Sequence, residues 1–106
     1  MKQEQIDALR HQPIADQGLL IDGQWVASTS GQTIPVVSPI DGQHLCTIAA
    51  AGQADVDAAV AAARRSFDAG VWSRMAPAER KKVLHRIADR IEAHHAELAV
   101  LGVRDN

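Results

Sequence analysis

Few residues of this 106-residue chain have the types and spacings that do chemistry. The single thiol, Cys46, lies in the run Leu45-Cys46-Thr47-Ile48, which is typical of a strand. A nucleophilic cysteine needs a nearby base or a helix N-terminus to stabilise its thiolate. No helix is predicted to start directly behind Cys46. We therefore interpret it as a small packed residue.

The five histidines do not have the spacing of a metal site. His94 and His95 are adjacent and point about 100° apart on a helix, and His85 lies about two and a half turns earlier. Glu92 and Glu97 are interpreted as solvated helix residues and not a catalytic pair, because nothing in the pattern buries them. No dinucleotide fingerprint, phosphate loop, zinc motif or serine-nucleophile motif occurs. The residues alone predict no catalytic apparatus.

Composition excludes several classes of partner. The formal charge of −2 gives no electrostatic case for binding nucleic acid or a membrane surface. Arg80, Lys81 and Lys82 are read as a solvated helix face, since acidic residues follow on the same helix. The polar start is unlike a signal peptide, and no apolar run approaches the roughly 18 residues of a membrane span. With one cysteine and no internal disulfide, we expect a cytoplasmic protein.

The longest element predicted to position these residues is a helix from Pro77 to Leu101. Proline suits the first helical position, and Gly102 is a candidate stop, although Val103 and Arg104 could extend the helix by part of a turn. Apolar residues recur at steps of three and four, namely Val83, Leu84, Ile87, Ala88, Ile91, Leu98 and Leu101. Such a stripe requires a surface to cover. The earlier chain is poor in large apolar groups, so we expect marginal stability for the chain alone.

The first half of the chain predicts two β-hairpins after a polar segment. Residues 1–17 are expected to be a flexible N-terminal segment, with a short helix over 3–11 that Pro13 ends. Asp22-Gly23 between two apolar runs predicts a type I′ turn in the first hairpin. Residues 33–37 and 43–50 predict the second hairpin, supported by their β-branched content.

A second amphipathic helix is predicted from about Ala54 to Ala69. It places Val56, Val60, Ala63 and Phe67 on one face, and Gly70 fits the left-handed position after its end. Trp72, in the linker that follows, is expected to pack at the junction of the two helices. The fold class is therefore α+β, with two short β-hairpins followed by two α-helices.

The order of these segments resembles the aldehyde dehydrogenase superfamily. Leu19-Leu20-Ile21-Asp22-Gly23-Gln24-Trp25 looks like that family's opening strand, and Val37-Ser38-Pro39-Ile40-Asp41-Gly42-Gln43 is similar to its "V-N-P-A-T-G-E". The runs 54–64 and 77–91 resemble its first two helices, and Arg104-Asp105-Asn106 resembles the start of "D-N-G-K-P". The resemblance covers residues 18–106. It implies the N-terminal, incomplete portion of a cofactor-binding domain in a larger α/β fold.

The resemblance implies that a full-length parent oxidises an aldehyde to a carboxylic acid with NAD or NADP. In the family a cysteine attacks the aldehyde and a glutamate activates water, and both fall after position 106. Cys46 does not match the nucleophile position. The expected partner of this portion is the remainder of the parent enzyme, and no catalytic residue or nucleotide cofactor is expected within the 106 residues themselves. Whether the chain counts as an enzyme therefore depends on that remainder.

The resemblance also implies one metal position. Some family members hold a monovalent cation with two consecutive backbone carbonyls and the aspartate of "D-N-G", and those positions resemble Val36, Val37 and Asp105. Hard cations favour oxygen ligands. The alternative to cation binding is that the valines only pack within a strand and that Asp105 is an ordinary exposed acid near a chain end.

A different class of function remains open from the residues. The chain could be a freestanding interaction module without enzymatic activity, which binds a partner helix or self-associates through the exposed face of its last helix. That face would comprise Ile87, Ile91 and Leu98.

Overall fold

The computed structural model describes all 106 residues. Its elements follow in the order α1 (Gln3–His11), β1 (Leu19–Ile21), β2 (Gln24–Val26), β3 (Thr33–Val37), β4 (His44–Ala49), α2 (Gln53–Ala69), α3 (Pro77–Ala93) and α4 (His95–Arg104). The strands form two separate two-stranded sheets, β1–β2 and β3–β4. The predicted α+β class, with two hairpins ahead of the long helices, is confirmed.

The first hairpin forms because its turn residues accept left-handed backbone. Asp22 has φ 53° and Gly23 has φ 73°, which are the positive values that a type I′ turn requires at both central positions. The strands are antiparallel, with Leu20 opposite Trp25. The predicted turn is confirmed.

The polar segment before β1 extends the second sheet. Gln17 makes an isolated parallel bridge with Ile48 of β4. The Gln17 amide donates to the Thr47 carbonyl at 3.0 Å, and the Ala49 amide donates to the Gln17 carbonyl at 2.9 Å. Backbone groups on one edge of β4 are thereby satisfied by residues that precede the first strand.

Helix α2 begins and ends at residues that suit helix termini. The Asp55 carboxylate accepts the amide of Gly52, the N-cap residue, at 2.9 Å. This satisfies one of the amides that a helix start leaves without an intrahelical partner. At the other end Gly70 has φ 75°, and its amide donates to Phe67. Both ends lie within one residue of the sequence prediction.

The last helical region is interrupted, which corrects the prediction of one helix from Pro77 to Leu101. His94 has φ −112° and ψ 17°, and it separates α3 from α4. Its amide donates to both the Arg90 carbonyl at 3.1 Å and the Ile91 carbonyl at 3.2 Å. The shared bond marks a local tightening of the turn. The apolar period is insensitive to one such turn, so the sequence pattern did not reveal it.

The chain divides into two compact units. The first comprises residues 1–14, 37–45 and 77–106, and the second comprises residues 15–36 and 46–76. In the first unit α1 packs on α4, where Ala96 and Val100 are buried. In the second unit α2 contacts β1, and Cys46 and Ala62 are the buried apolar residues. The division into a flexible segment 1–17 and an incomplete domain 18–106 stays a prediction.

Many large apolar side chains lie open to solvent in both units. On α2 the predicted apolar face is exposed, with Val60 at 63% and Phe67 at 62% of their full surface. Trp72 keeps 43% of its surface exposed, and its packing at the junction of the two helices stays a prediction. None of the helices combines the length and apolar character needed to cross a bilayer.

Candidate functional site

Cys46 lies in the middle of β4 and is only 7% exposed. It forms no disulfide. A reactive thiolate is reached from solvent and is stabilised by a neighbouring positive charge or helix N-terminus. Burial within a strand fits the interpretation of Cys46 as a small packed residue, and it leaves the chain without a candidate nucleophile of this type.

The histidines of the last helices make local contacts. His94 Nδ1 lies 3.0 Å from Glu97 Oε2, and His95 Nδ1 lies 3.0 Å from the Glu92 carbonyl. All four side chains are exposed. No three histidine, cysteine, aspartate or glutamate side chains of the chain come together as a possible metal-binding group.

The three positions suggested for a monovalent cation lie in two elements. Val36 and Val37 are the last two residues of β3; Val36 is half-buried and Val37 is 52% exposed. Asp105 is the exposed C-cap residue of α4. Hard cations accept oxygen ligands of both kinds, backbone carbonyl and carboxylate. The chemistry of this donor set therefore fits a monovalent cation, while the grouping of the three stays a prediction.

The turn that follows Val37 is held by a set of short hydrogen bonds. Buried Ser38 donates its amide to the Gln43 carbonyl at 2.8 Å and accepts the Gly42 amide at 2.9 Å. Asp41 accepts the Gln43 amide at 3.1 Å. This amide, and after it the Ser38 hydroxyl, lower the pKa of Asp41 below its ordinary value of 3.8. The chain directly after Val37 is thereby restrained.

Asp105, the third suggested cation position, follows a residue whose side chain makes long-range contacts. Arg104, which precedes Asp105, donates its Nη1 to the Gln12 carbonyl at 2.7 Å and to the Leu9 carbonyl at 3.3 Å. The Asp105 amide donates to the Leu101 carbonyl at 3.1 Å, which continues the helical pattern. The backbone at Asp105 is therefore held on its N-terminal side.

Sequence reasoning missed three residues that organise the two units. The sequence places Arg104 only within a family motif, and its pattern assigns no role to Ser28, which is 6% exposed. The position of Asp55 near a helix start predicts only that it complements the helix dipole, yet its carboxylate also accepts the loop amide of Thr29 at 3.0 Å. An acid three residues after a helix-starting glycine is a signal for the cap. No local signal points to the partners of Arg104.

Known proteins resemble this chain over most of its length. The model of the aldehyde dehydrogenase family matches residues 25–106. The putative aldehyde dehydrogenase DhaS of Bacillus subtilis is 47% identical over 88 residues, which are 83% of this chain and 18% of that protein.

Solved structures agree. The crystal structure of gamma-glutamyl-gamma-aminobutyraldehyde dehydrogenase from Burkholderia cenocepacia superposes with a TM-score of 0.89 at 40% identity, covering 98% of this chain and 21% of that one. The NAD+ complex of an indole-3-acetaldehyde dehydrogenase gives a TM-score of 0.84 at 37% identity, covering 94% and 20%.

The chain thus spans about a fifth of the length of the relatives it matches. The match includes both hairpins and all the long helices, so it extends well beyond a single motif. Its architecture is that of the N-terminal part of the fold those relatives share. This chain belongs to the aldehyde dehydrogenase family.

Proposed function

We propose that these residues are the N-terminal part of an enzyme that oxidises an aldehyde to a carboxylic acid with NAD or NADP. Their contribution is a packed support for the cofactor-binding domain, and the reacting groups belong to the rest of the enzyme. The proposal is supported by family membership at 37–47% identity to the relatives described above. It does not extend to the choice of aldehyde, whose pocket other residues would build.

The observation that carries the proposal is the amount of surface left uncovered. The chain exposes 8200 Å². A folded monomer of 11.4 kDa exposes about 5,800 Å² by the usual scaling with mass, and two separate halves would together expose about 7,000 Å². No side chain is completely buried. Surface of this extent and apolarity requires further polypeptide to cover it.

The apolar surface is concentrated on the long helices. On α3 and α4, Ile87, Ile91 and Leu98 are 50%, 54% and 49% exposed and line an open groove of about 550 Å³. On α2 the small residues Ala59, Ala62 and Ser66 line the side nearest β1, while the larger apolar residues face away. Helices of a complete domain bury such faces. The remainder of the enzyme is the proposed cover.

The residues present do not fit a nicotinamide cofactor. A dinucleotide is held by a glycine-rich turn between a strand and a helix, with its pyrophosphate at the helix N-terminus. The passage from β4 to α2 runs Ala50-Ala51-Gly52, with one glycine, and the amide of that glycine is already taken by Asp55. We therefore assign cofactor binding to the rest of the enzyme and no step of the reaction to this chain.

We further propose that Val36, Val37 and Asp105 contribute to a monovalent cation site in the full enzyme. Support comes from the oxygen donors at these positions and from the hydrogen-bonded turn and helix end that hold Val37 and Asp105. Replacement of Asp105 by Asn in a full-length enzyme should raise the potassium concentration needed for half-maximal thermal stabilisation. An unchanged potassium dependence contradicts this assignment.

A cytoplasmic location is proposed with the enzyme. It is supported by a single, unbridged cysteine.

A chimera tests the function directly. The matching stretch of indole-3-acetaldehyde dehydrogenase is replaced by this chain. Aldehyde-dependent formation of NADH is then measured from the absorbance of NADH. We expect a soluble chimera with activity within about tenfold of the parent, because the matched folds present equivalent packing surfaces. A matched chimera carrying Ile87→Gln and Ile91→Gln should lose stability. A folded but inactive first chimera, or an unaffected second one, contradicts the proposal.

The freestanding interaction module is the second function, and the comparisons do not favour it. It would use the same exposed groove on α3 and α4 that the first proposal assigns to the rest of the enzyme. If the chain self-associates there, sedimentation should depend on concentration, and Ile91→Asp should abolish the association while the monomer stays folded. A monomer at all concentrations removes this function.

A further inference from the structure

The contact between Arg104 and the first helix joins parts of the chain that are far apart in sequence. Its guanidinium reaches the carbonyls of Leu9 and Gln12, which are 95 and 92 positions away. Gln12 is the C-cap residue of α1, and its own amide donates back to the Leu9 carbonyl at 3.3 Å. Arg104 therefore binds carbonyls at the C-terminal end of α1, where the helix leaves backbone acceptors without a full set of intrahelical donors.

The charge of Arg104 suits this position. The C-terminus of a helix carries partial negative charge, and an arginine side chain there interacts favourably with it and with the free carbonyls. Hydrogen bonds to charged groups are stronger than neutral ones. The other basic residues near this helix end, Arg10 and His11, are exposed, and His11 binds the Asp7 carbonyl of its own helix. Arg104 is the cation supplied from another element.

The contact lies beside the small apolar junction of α1 and α4. Ile6 and Leu9 of α1 are half-buried, while Ala96 and Val100 of α4 are 6% and 8% exposed. A cavity of about 230 Å³ runs along this junction, lined in part by Leu9, Val100 and Arg104. The two apolar residues of α1 at this junction are only half-buried, so the charged contact of Arg104 adds to the attachment of the helix.

The length of α1 makes its attachment conditional. Nine residues are too few for a stable helix in isolation, so α1 depends on its packing against α4. Release of α1 would expose Val100 and Ala96 and would also unfold the helix. Docking and helix formation are therefore one event in this chain.

We infer that Arg104 is a latch that docks α1 on α4, so that residues 3–12 form a releasable cover over the Ala96–Val100 surface. This surface is an interaction site whose occupant is the chain's own first helix. Arg104 acts as a positioning residue, because it fixes the end of α1 and holds the backbone immediately before Asp105. The inference does not depend on the proposed enzymatic function.

Limited digestion of the 106-residue chain with trypsin tests the latch. Arg10 lies within α1, and its cleavage requires the helix to open locally. We expect Arg104→Gln to raise the rate of cleavage after Arg10 about tenfold, which corresponds to about 1.4 kcal/mol for one lost charged hydrogen-bonding group. Cleavage after Arg64 and Arg65 in α2 should be unchanged. Hydrogen exchange of the amides in residues 5–12 should accelerate in parallel.

Two variants separate a latch from a general loss of stability. Arg104→Lys keeps the charge and one set of donors, and should restore most of the protection. Arg90→Gln removes an exposed arginine of α3 and should leave the cleavage after Arg10 unchanged. The inference is overturned if Arg10 in the unaltered chain is cut as fast as in a free peptide of residues 1–17. It is equally overturned if Arg104→Gln speeds cleavage in α2 as much as in α1, or if it has no effect.

Discussion

The amide of Thr29 donates a hydrogen bond of 3.0 Å to Oδ1 of Asp55, and this bond attaches the loop after the first hairpin to the first turn of α2. The second carboxylate oxygen accepts the Gly52 amide at 2.9 Å. Asp55 is only 4% exposed, so both oxygens are used within the fold. One side chain therefore caps a helix and fixes a loop that lies 26 positions away.

The Asp55 contacts predict acid sensitivity of the second unit. The Gly52 amide, and after it the Thr29 amide, lower the pKa of Asp55 below its ordinary value of 3.8. The folded state therefore binds this proton less tightly than the unfolded state. The stabilisation is fully present above the unfolded pKa and is lost as the pH falls through the folded pKa. Thermal unfolding of Asp55→Asn should show a lower midpoint at pH 7 and a weaker dependence on pH below 4.

Asp57→Asn is the matched control for that measurement. Asp57 is exposed on the same helix and accepts only the side-chain amide of Gln53, at 2.8 Å. Its replacement should leave the acid dependence of unfolding as in the unaltered chain. The assignment to Asp55 is contradicted if the two variants lose the same amount of acid sensitivity.

Two glycine-to-alanine substitutions should have opposite effects. Gly70 has φ 75° at the end of α2, and a Cβ there would meet the Arg74 guanidinium, which binds the Asp68 and Ala69 carbonyls. Gly70→Ala should destabilise the chain by about 1–2 kcal/mol. Gly102 lies within α4 and a Cβ there meets nothing, so Gly102→Ala should stabilise by up to about 1 kcal/mol. Urea unfolding measures both, and equal signs would contradict this account.

Two serines of the same loop should differ in importance. Ser28 is 6% exposed and its hydroxyl donates to the Gln32 carbonyl at 3.0 Å, whereas Ser30 is exposed and accepts the Gln32 amide. Ser28→Ala should lower the free energy of unfolding by about 1 kcal/mol. Ser30→Ala should change it by less than about 0.5 kcal/mol. The prediction fails if the exposed serine proves the more important one in chemical denaturation.

The open groove on α3 and α4 predicts dye binding by the chain alone. Ile87 and Ile91 are half-exposed there, and an apolar dye should bind and fluoresce. Replacing both by Gln should reduce the fluorescence severalfold with helix content by circular dichroism unchanged. Arg86→Gln, on the rim of the same groove, is the control and should keep the signal. A chain that binds no dye before substitution contradicts the prediction.

Local structure was readable from the residues because its causes lie within a few positions. Asp22-Gly23 predicted the turn that the positive φ values confirm, and Gly70 predicted the end of α2. The family could also be recognised, since its motifs occur in order along the chain. The break at His94 was missed, because an apolar period of three and four residues continues across one tightened turn.

The candidate site was less predictable than the elements. The placement of Val36 and Val37 at the end of β3 could be predicted, since β-branched residues before a proline turn mark a strand end. The hydrogen bonds of Ser38 and Arg104, which restrain the residues next to these positions, could not be predicted. They join backbone groups to side chains whose approach depends on packing.

By itself the sequence determined the turn of the first hairpin, both ends of α2, the family and the absence of a catalytic motif. Only the tertiary structure decided which helix faces are covered. Val60 and Phe67 lie open while Ala62 is buried, and Arg104 reaches the carbonyl of Gln12. Dihedral preferences and capping bonds are properties of neighbouring residues. Burial and long-range hydrogen bonds are properties of surfaces that meet, and their partners lie far apart along the chain.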